Sequence, residues 1–290
     1  LLINAQEREQ QSYIIPYLDW SQEKFDWNIA GNENGQYPNI LSELQWKDLR
    51  GPKMGIKSVI SILSKFQLKL DLSYKSITAG KVSDTDYAGD NRFVKTSELN
   101  LQANNGYTIQ TRLELSYLLW SSQGFSFSPH LGYYGSYQTL YMLDGDIPLI
   151  ANKELKSTYK PQWHGVIFGV ETNYRNKRWD VSLDINGAYL PHYSAKANWN
   201  LREELRQPIS FEHKSKAVQW NTGLCIGYQF GKQIEPFISI NYTQLTVGKG
   251  TDTLYKANGT FHKAQLNEAH ANNISVGIGL KILLLATNNY

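Results

Sequence analysis

Apolar and polar residues alternate with period two along much of this chain. From Trp179 the odd positions read Trp179, Val181, Leu183, Ile185 and Tyr189, and the even ones Asp180, Ser182, Asp184 and Asn186. From Phe66 the even positions are Phe66, Leu68, Leu70, Leu72 and Tyr74, set against Gln67, Lys69, Asp71, Ser73 and Lys75. The same pattern runs from Tyr107 to Leu119, from Val218 to Phe230 and from Ile274 to Ile282. Successive side chains of a strand point to opposite faces, so each run predicts a strand with one greasy face and one polar face.

A soluble sandwich alternates in the same way, but its strands are typically about 5–6 residues long, and these runs are longer. Several carry Tyr or Trp near their ends, as the aromatic girdles of a membrane barrel do. The polar faces are too charged for a dry core: Lys57, Lys69, Asp71, Arg112, Glu114, Glu171, Asp180, Asp184, Glu235 and Lys281 all share them. The pattern therefore predicts an all-β fold, a transmembrane antiparallel up-and-down β-barrel. Short connections at Ser64-Lys65, Ser121–Gly124, Asn173–Arg178 and Gly231–Gln233 alternate with long polar ones near Ala30–Ile40, Gly80–Thr96, Asp144–Leu155, Leu201–Ser210 and Val247–Gln265. Short periplasmic turns and long extracellular loops are the outer-membrane arrangement, and these connections join ten strands with both termini inside. The first strand is expected at Glu23–Ala30, which leaves residues 1–22 as an N-terminal periplasmic extension and 23–290 as the barrel. A barrel so narrow fills with its own inward side chains.

Composition sharpens this reading. Among 290 residues there are 19 Tyr, 10 Phe and 8 Trp but only 19% charged residues, and such a chain is not disordered. No run approaches the roughly 18 apolar residues of a spanning helix. A net charge of +3 leaves no electrostatic footprint for nucleic acid. The single cysteine, Cys225, excludes an internal disulfide and any cysteine-rich metal site, and by parity it is a small inward residue. The chain starts at Leu1 without a basic segment or a small-residue cleavage site, as a mature form would.

Several segments resemble the omptins, the outer-membrane proteases of Gram-negative bacteria. They are Ser42-Glu43-Leu44-Gln45-Trp46-Lys47, Asp84-Thr85-Asp86-Tyr87, Gly132-Tyr133, the turn entered through Asn173-Tyr174-Arg175, Lys249-Gly250-Thr251-Asp252-Thr253-Leu254-Tyr255, Asn258-Gly259-Thr260 and Gly279-Leu280-Lys281, in omptin order. The resemblance implies a ten-stranded barrel. It also implies a site in which two acidic residues face an Asp and His pair across an extracellular cleft and activate a water. Carboxylates polarise water, and an imidazole titrating near neutrality takes its proton. Asp84 and Asp86 match the acidic pair. Counting from Tyr189 places Asn198 and Asn200 where the Asp and His would stand, both with inward parity, and an amide neither accepts a proton at neutral pH nor carries negative charge. His213, inward on the next strand, is the candidate substitute base, and His192 is expected inward but deeper.

Asp84, Asp86 and Asp90 could be read as a cation site, but Asp-Thr-Asp-Tyr-Ala-Gly-Asp-Asn is also ordinary loop chemistry and lacks the downstream Glu of a calcium loop, so neither a metal nor a cofactor is expected. The run 200–206 reads as a mixed-charge loop. The expected partners are outer-membrane lipid, lipopolysaccharide and a protein docking on the N-terminal segment or the loops, with no nucleic acid. Three functions compete: a non-proteolytic binding, adhesion, structural or accessory barrel of the bacterial outer membrane, an endopeptidase built from Asp84, Asp86 and His213, and a narrow channel.

Overall fold

The computed structural model describes residues 11–284 except 146–148 and 151. The strands are β1 (Tyr13–Ile29), β2 (Ser42–Leu63), β3 (Phe66–Ser76), β4 (Ala79–Gly89), β5 (Phe93–Gln102), β6 (Gly106–Tyr117), β7 (Trp120–Ser122), β8 (Phe125–Leu143), β9 (Lys156–Asn176), β10 (Trp179–Asn198), β11 (Phe211–Tyr228), β12 (Ile234–Val247), β13 (Gly250–Tyr255) and β14 (Phe261–Leu283). Every pair is antiparallel, and β1 pairs with both β14 and β2, so the sheet closes in a ring through β3, β6, β8, β9, β10, β11 and β12. At the end with the long connections, β4 continues β3 along β2, and β13 continues β12 between β11 and β14.

Three expectations change. β1 starts at Tyr13 rather than Glu23, so residues 13–22 belong to the barrel wall and not to an extension. They hid because apolar side chains line both faces there: Tyr13, Ile15 and Tyr17 point into the lumen, where the Tyr17 hydroxyl donates to Asp71 at 2.8 Å. Residues 1–10, the rest of the expected extension, lie outside the described residues. Most of Gly80–Thr96 and of Val247–Gln265 is strand rather than loop. These stretches stand beyond the membrane, where water reaches the outer face and polar residues are free to occupy it, so the lipid-type alternation is lost.

Around the middle of the ring the molecule is inside out. Leu72, Leu113, Phe168 and Ile278 face outward, Ile278 with 61% of its surface exposed, while Lys69 and Glu114 are buried at 3% and 4%. Ring pairs mark the lower edge of this band at Phe66–Tyr117 (4.9 Å), Phe125–Tyr174 (4.2 Å) and Trp179–Tyr228 (4.9 Å), and the upper edge at Tyr74–Tyr107 (5.9 Å) and Tyr107–Tyr137 (6.0 Å). An apolar belt between aromatic girdles is the outer face of a barrel in lipid.

Inside, the charges pair, some along the wall and some across the lumen. Lys69 pairs with Glu171 at 2.6 Å, Arg112 with Glu114 at 2.6 Å and Lys75 with Glu23 at 2.8 Å, and Arg175 binds both Asp180 and Glu235. Long inward side chains lie flat over glycines on the neighbouring strand. A Cβ on Gly279 would come within 2.2 Å of the Phe237 ring, and one on Gly55 within 2.3 Å of Tyr17. Beside these groups lies a polar cavity of about 230 Å³ that Lys57, Asp71, Asp184 and Cys225 line.

Toward the long connections the lumen changes character and closes with rings. Phe25 and Trp27 of β1, Trp46 of β2, Tyr159 and Trp163 of β9, Tyr193 of β10 and Phe211 of β11 are all buried in one cluster. Trp46 stacks on Tyr159 at 5.5 Å, and Phe25 meets Tyr159 at 5.7 Å. Burying a side chain of Phe size is worth about 1.5–3 kcal/mol, so this plug is a principal source of stability beyond the bilayer.

Leu70 sits at the middle of the outward run of β3. Leu70→Arg should destabilise the barrel by about 2–4 kcal/mol in urea unfolding from vesicles, whereas Gln162→Arg, outward on β9 near the long connections, should stay within about 0.5 kcal/mol.

Candidate functional site

Beyond the upper girdle, β4 and β5 rise as a hairpin. Asp84 and Asp86 stand two residues apart on β4, on the face that carries the buried Val82, and so point inward over the mouth of the barrel. β5 supplies the neighbours on that face: Leu99 lies opposite Asp84, and Ser97 lies opposite Asp86 and donates to its Oδ2 at 2.9 Å. Arg202, from the loop between β10 and β11, is the cation whose field reaches Asp84. Burial and the neighbouring Asp86 raise the Asp84 carboxyl, against the pull of Arg202, to about 7. Asp90 is turned away from the pair, and its Oδ1 accepts the Asn39 backbone N–H at 2.7 Å.

The hairpin is held rigidly at its tip. Asn39 and Asn91 exchange hydrogen bonds of 2.7 and 2.9 Å. Arg92 donates to Glu43 Oε2 from Nε (3.0 Å) and Nη2 (2.9 Å), while Tyr87 donates to Glu43 Oε1 at 2.6 Å.

The opposite wall departs from the parity expectation. β10 carries a β-bulge between Tyr189 and Tyr193, which shifts its register against both neighbours. Beyond the bulge Tyr193, Ala195 and Ala197 are the buried positions, so Asn198 shares parity with the exposed His192 and Lys196 rather than with the lumen. His192 is accordingly outside the barrel, stacked on His164 at 4.9 Å, and not inward as expected. Asn200 is fully engaged: its Oδ1 accepts from the Lys156 backbone N–H (2.9 Å) and Ser157 Oγ (3.0 Å), and its Nδ2 donates to the Glu154 carbonyl (2.9 Å). That amide stitches the loop after β10 to the start of β9.

His213 is inward, as parity requires, but has no exposed surface. Its Nδ1 lies 2.9 Å from the Tyr159 hydroxyl, which meets the Tyr193 hydroxyl at 2.9 Å, and its Nε2 lies 3.2 Å from Asp252 Oδ1. Trp27 packs edge-on to the imidazole at 4.9 Å. Among the described residues, no hydrogen bond or ion pair joins His213 to Asp84 or Asp86; the imidazole belongs to the plug. The structure thus sets Ser97 against Asp86 and brings the field of Arg202 to Asp84, while it engages His213 with Tyr159 and Asp252 and Asn200 with the chain around the start of β9. Sequence reasoning missed Arg202 and Asp252. The first lay in a loop without periodicity, and the second pairs with His213 only through the cross-strand register of β11 and β13.

The model of a family described as Pom, Protochlamydia outer membrane protein, matches residues 17–284. A comparison with curated proteins found no match. Among solved structures, the outer membrane protease OmpT from Escherichia coli is similar over 94% of this chain and 97% of its own, with 15% identity and a TM-score of 0.71. The outer membrane protein OprG from Pseudomonas aeruginosa aligns over 94% of this chain and 96% of its own, with 10% identity and a TM-score of 0.41. The likeness to OmpT shows a shared fold.

The folded protein holds the Asp84 proton more tightly than an unfolded chain, whose Asp titrates near 3.8. The contribution of Asp84 to stability is therefore complete below about pH 4 and is lost as the pH rises through 7. Carboxyl carbon NMR should place its midpoint near 7, and Asp86→Asn should move that midpoint down.

Proposed function

This chain belongs to the Protochlamydia outer membrane protein family, and on that premise we propose that it is a sealed barrel of the bacterial outer membrane whose extracellular cleft binds rather than cuts. Counted as traverses of the wall, with β3–β4, β5–β6 and β12–β13 each taken as one interrupted stave and β7 as part of a turn, the barrel has ten staves and an omptin-like plan.

The observation that carries this reading is the state of the imidazole and amide groups near the acids. Asn200 has its amide committed to holding two loops, and His213 is enclosed by Trp27, Tyr159 and Phe211. Asp84 and Asp86 then face the cleft without a histidine to share the work of proton transfer. The ring plug above a network of paired charges supports a lumen that does not conduct. The peptidase reading retains one specific support, the Asp84 carboxyl held near 7 beside a second carboxylate, where an acid–base group would be poised.

Lipopolysaccharide is a fitting neighbour. Lys160 and Lys196 are directly opposite one another on β9 and β10, and Lys214 and Lys216 follow on β11, all on the outward face just beyond Tyr189, Val218 and Trp220. Glu212 approaches Lys196 at 4.0 Å and Lys214 at 3.9 Å and balances part of this charge, and the surplus of positive charge suits the headgroup phosphates that stand at that level.

The purified protein in lipopolysaccharide vesicles should leave peptides with basic residues intact between pH 5 and 8, and in planar bilayers it should pass no single-channel current. Cleavage that Asp84→Asn abolishes would establish the peptidase instead, and stable conductance steps would establish the channel.

A further inference from the structure

We propose that the free edge of β5 is a docking site for an extended polypeptide segment, which joins the β4–β5 hairpin as an additional strand. The inference rests on the cleft being a binding surface and names the class of partner.

Two features of β5 bear on this. Residues 93–100 are exposed on both faces, so the strand stands clear of the barrel. It pairs with β4 along one edge, but along the other its sole strand partner among the described residues is at its foot, Gln102 opposite Leu143 of β8. Val94 has a φ of 59° and the register against β4 shifts between Asp86 and Tyr87, so the regular part of this edge runs from Ser97 to Leu101, where, among the described residues, its backbone N–H and C=O groups face the gap beyond the end of β8. Such an edge is a template for another strand.

Its side chains suit that use. Leu99, in the regular part of the edge, is an exposed apolar residue. The two charges on the strand, Lys95 and Glu98, neutralise each other at 2.5 Å, so an arriving chain meets no net charge from β5. The hairpin is already rigid through Asn39, Asn91, Glu43 and Arg92, so docking orders little that is not ordered.

The geometry selects among occupants. The edge stands beyond the apolar band, out of reach of acyl chains. A second copy would sit in the same membrane with its β5 running in the same direction. A two-fold axis along the membrane normal cannot bring these edges into the antiparallel pairing that a self-complementary contact needs. An extended segment of another polypeptide has neither restriction.

The test uses the full chain in lipid nanodiscs, read by amide hydrogen exchange. The probe is a short uncharged peptide of alternating Thr and Val, and the control is its fully N-methylated form, which keeps the side chains and loses the backbone donors. The unmethylated peptide should slow exchange at alternate amides between Ser97 and Leu101 by about tenfold, and the methylated one should not. Unchanged β5 amides at saturating peptide, protection confined to other segments, or equal protection by both peptides would each overturn the proposal. Mass spectrometry of the same samples judges the parent reading separately: a peptide cut by the protein would refute binding without cleavage, whatever the protection pattern at β5.

Discussion

A strand in hydrocarbon has no water to satisfy its backbone, so a sheet that crosses a bilayer must close, and closure with few strands leaves an interior that side chains fill. That constraint organises this molecule. The pairing of β1 with both β14 and β2 removes the edges within the membrane. It also forces Lys69, Arg112, Glu171, Arg175, Asp180 and Glu235 into a space where each must find a partner. The glycines at 55 and 279 are part of the same accommodation, since Tyr17 and Phe237 have room only by lying across them.

Past the upper girdle the constraint relaxes, and the structure uses the freedom in two ways. Water now bathes the outside, so outward residues become polar and inward ones apolar, as in a soluble protein, and the lumen closes with Phe25, Trp27, Trp46, Tyr159 and Phe211. The wall also no longer needs to be continuous. β5 parts from β8 above Gln102, and the hairpin holds Asp84 and Asp86 within the field of Arg202. The plug of buried rings lies between that upper region and the charged lumen.

The membrane-facing part was legible because lipid enforces a strict rule, greasy at every second position, and the runs at 66–74, 179–189 and 274–282 obey it. Where the rule lapses, so did legibility. Residues 13–22 place tyrosines on the lumen face and lose their contrast. β4, β5 and β13 stand in water and need no contrast. The candidate site suffered most from a single inserted residue: the bulge near Leu190 reverses parity in the upper part of β10, so Asn198 and His192, counted from Asp180 and Asp184, were assigned the wrong side. His213, on a strand without a bulge, was placed inward correctly, but burial in the plug depends on residues from β1, β9 and β13 that no local pattern brings together.

The separation of cleft from lumen is most directly tested at Cys225, the single cysteine of the chain, which lines the lumen cavity below the plug. With the protein reconstituted so that its long loops face outward, a membrane-impermeant methanethiosulfonate added outside should leave this thiol unmodified until the plug is opened by Trp27→Ala with Phe211→Ala. Rapid modification of Cys225 in the unaltered protein would mean that the lumen is open to the cell exterior, and would contradict the account.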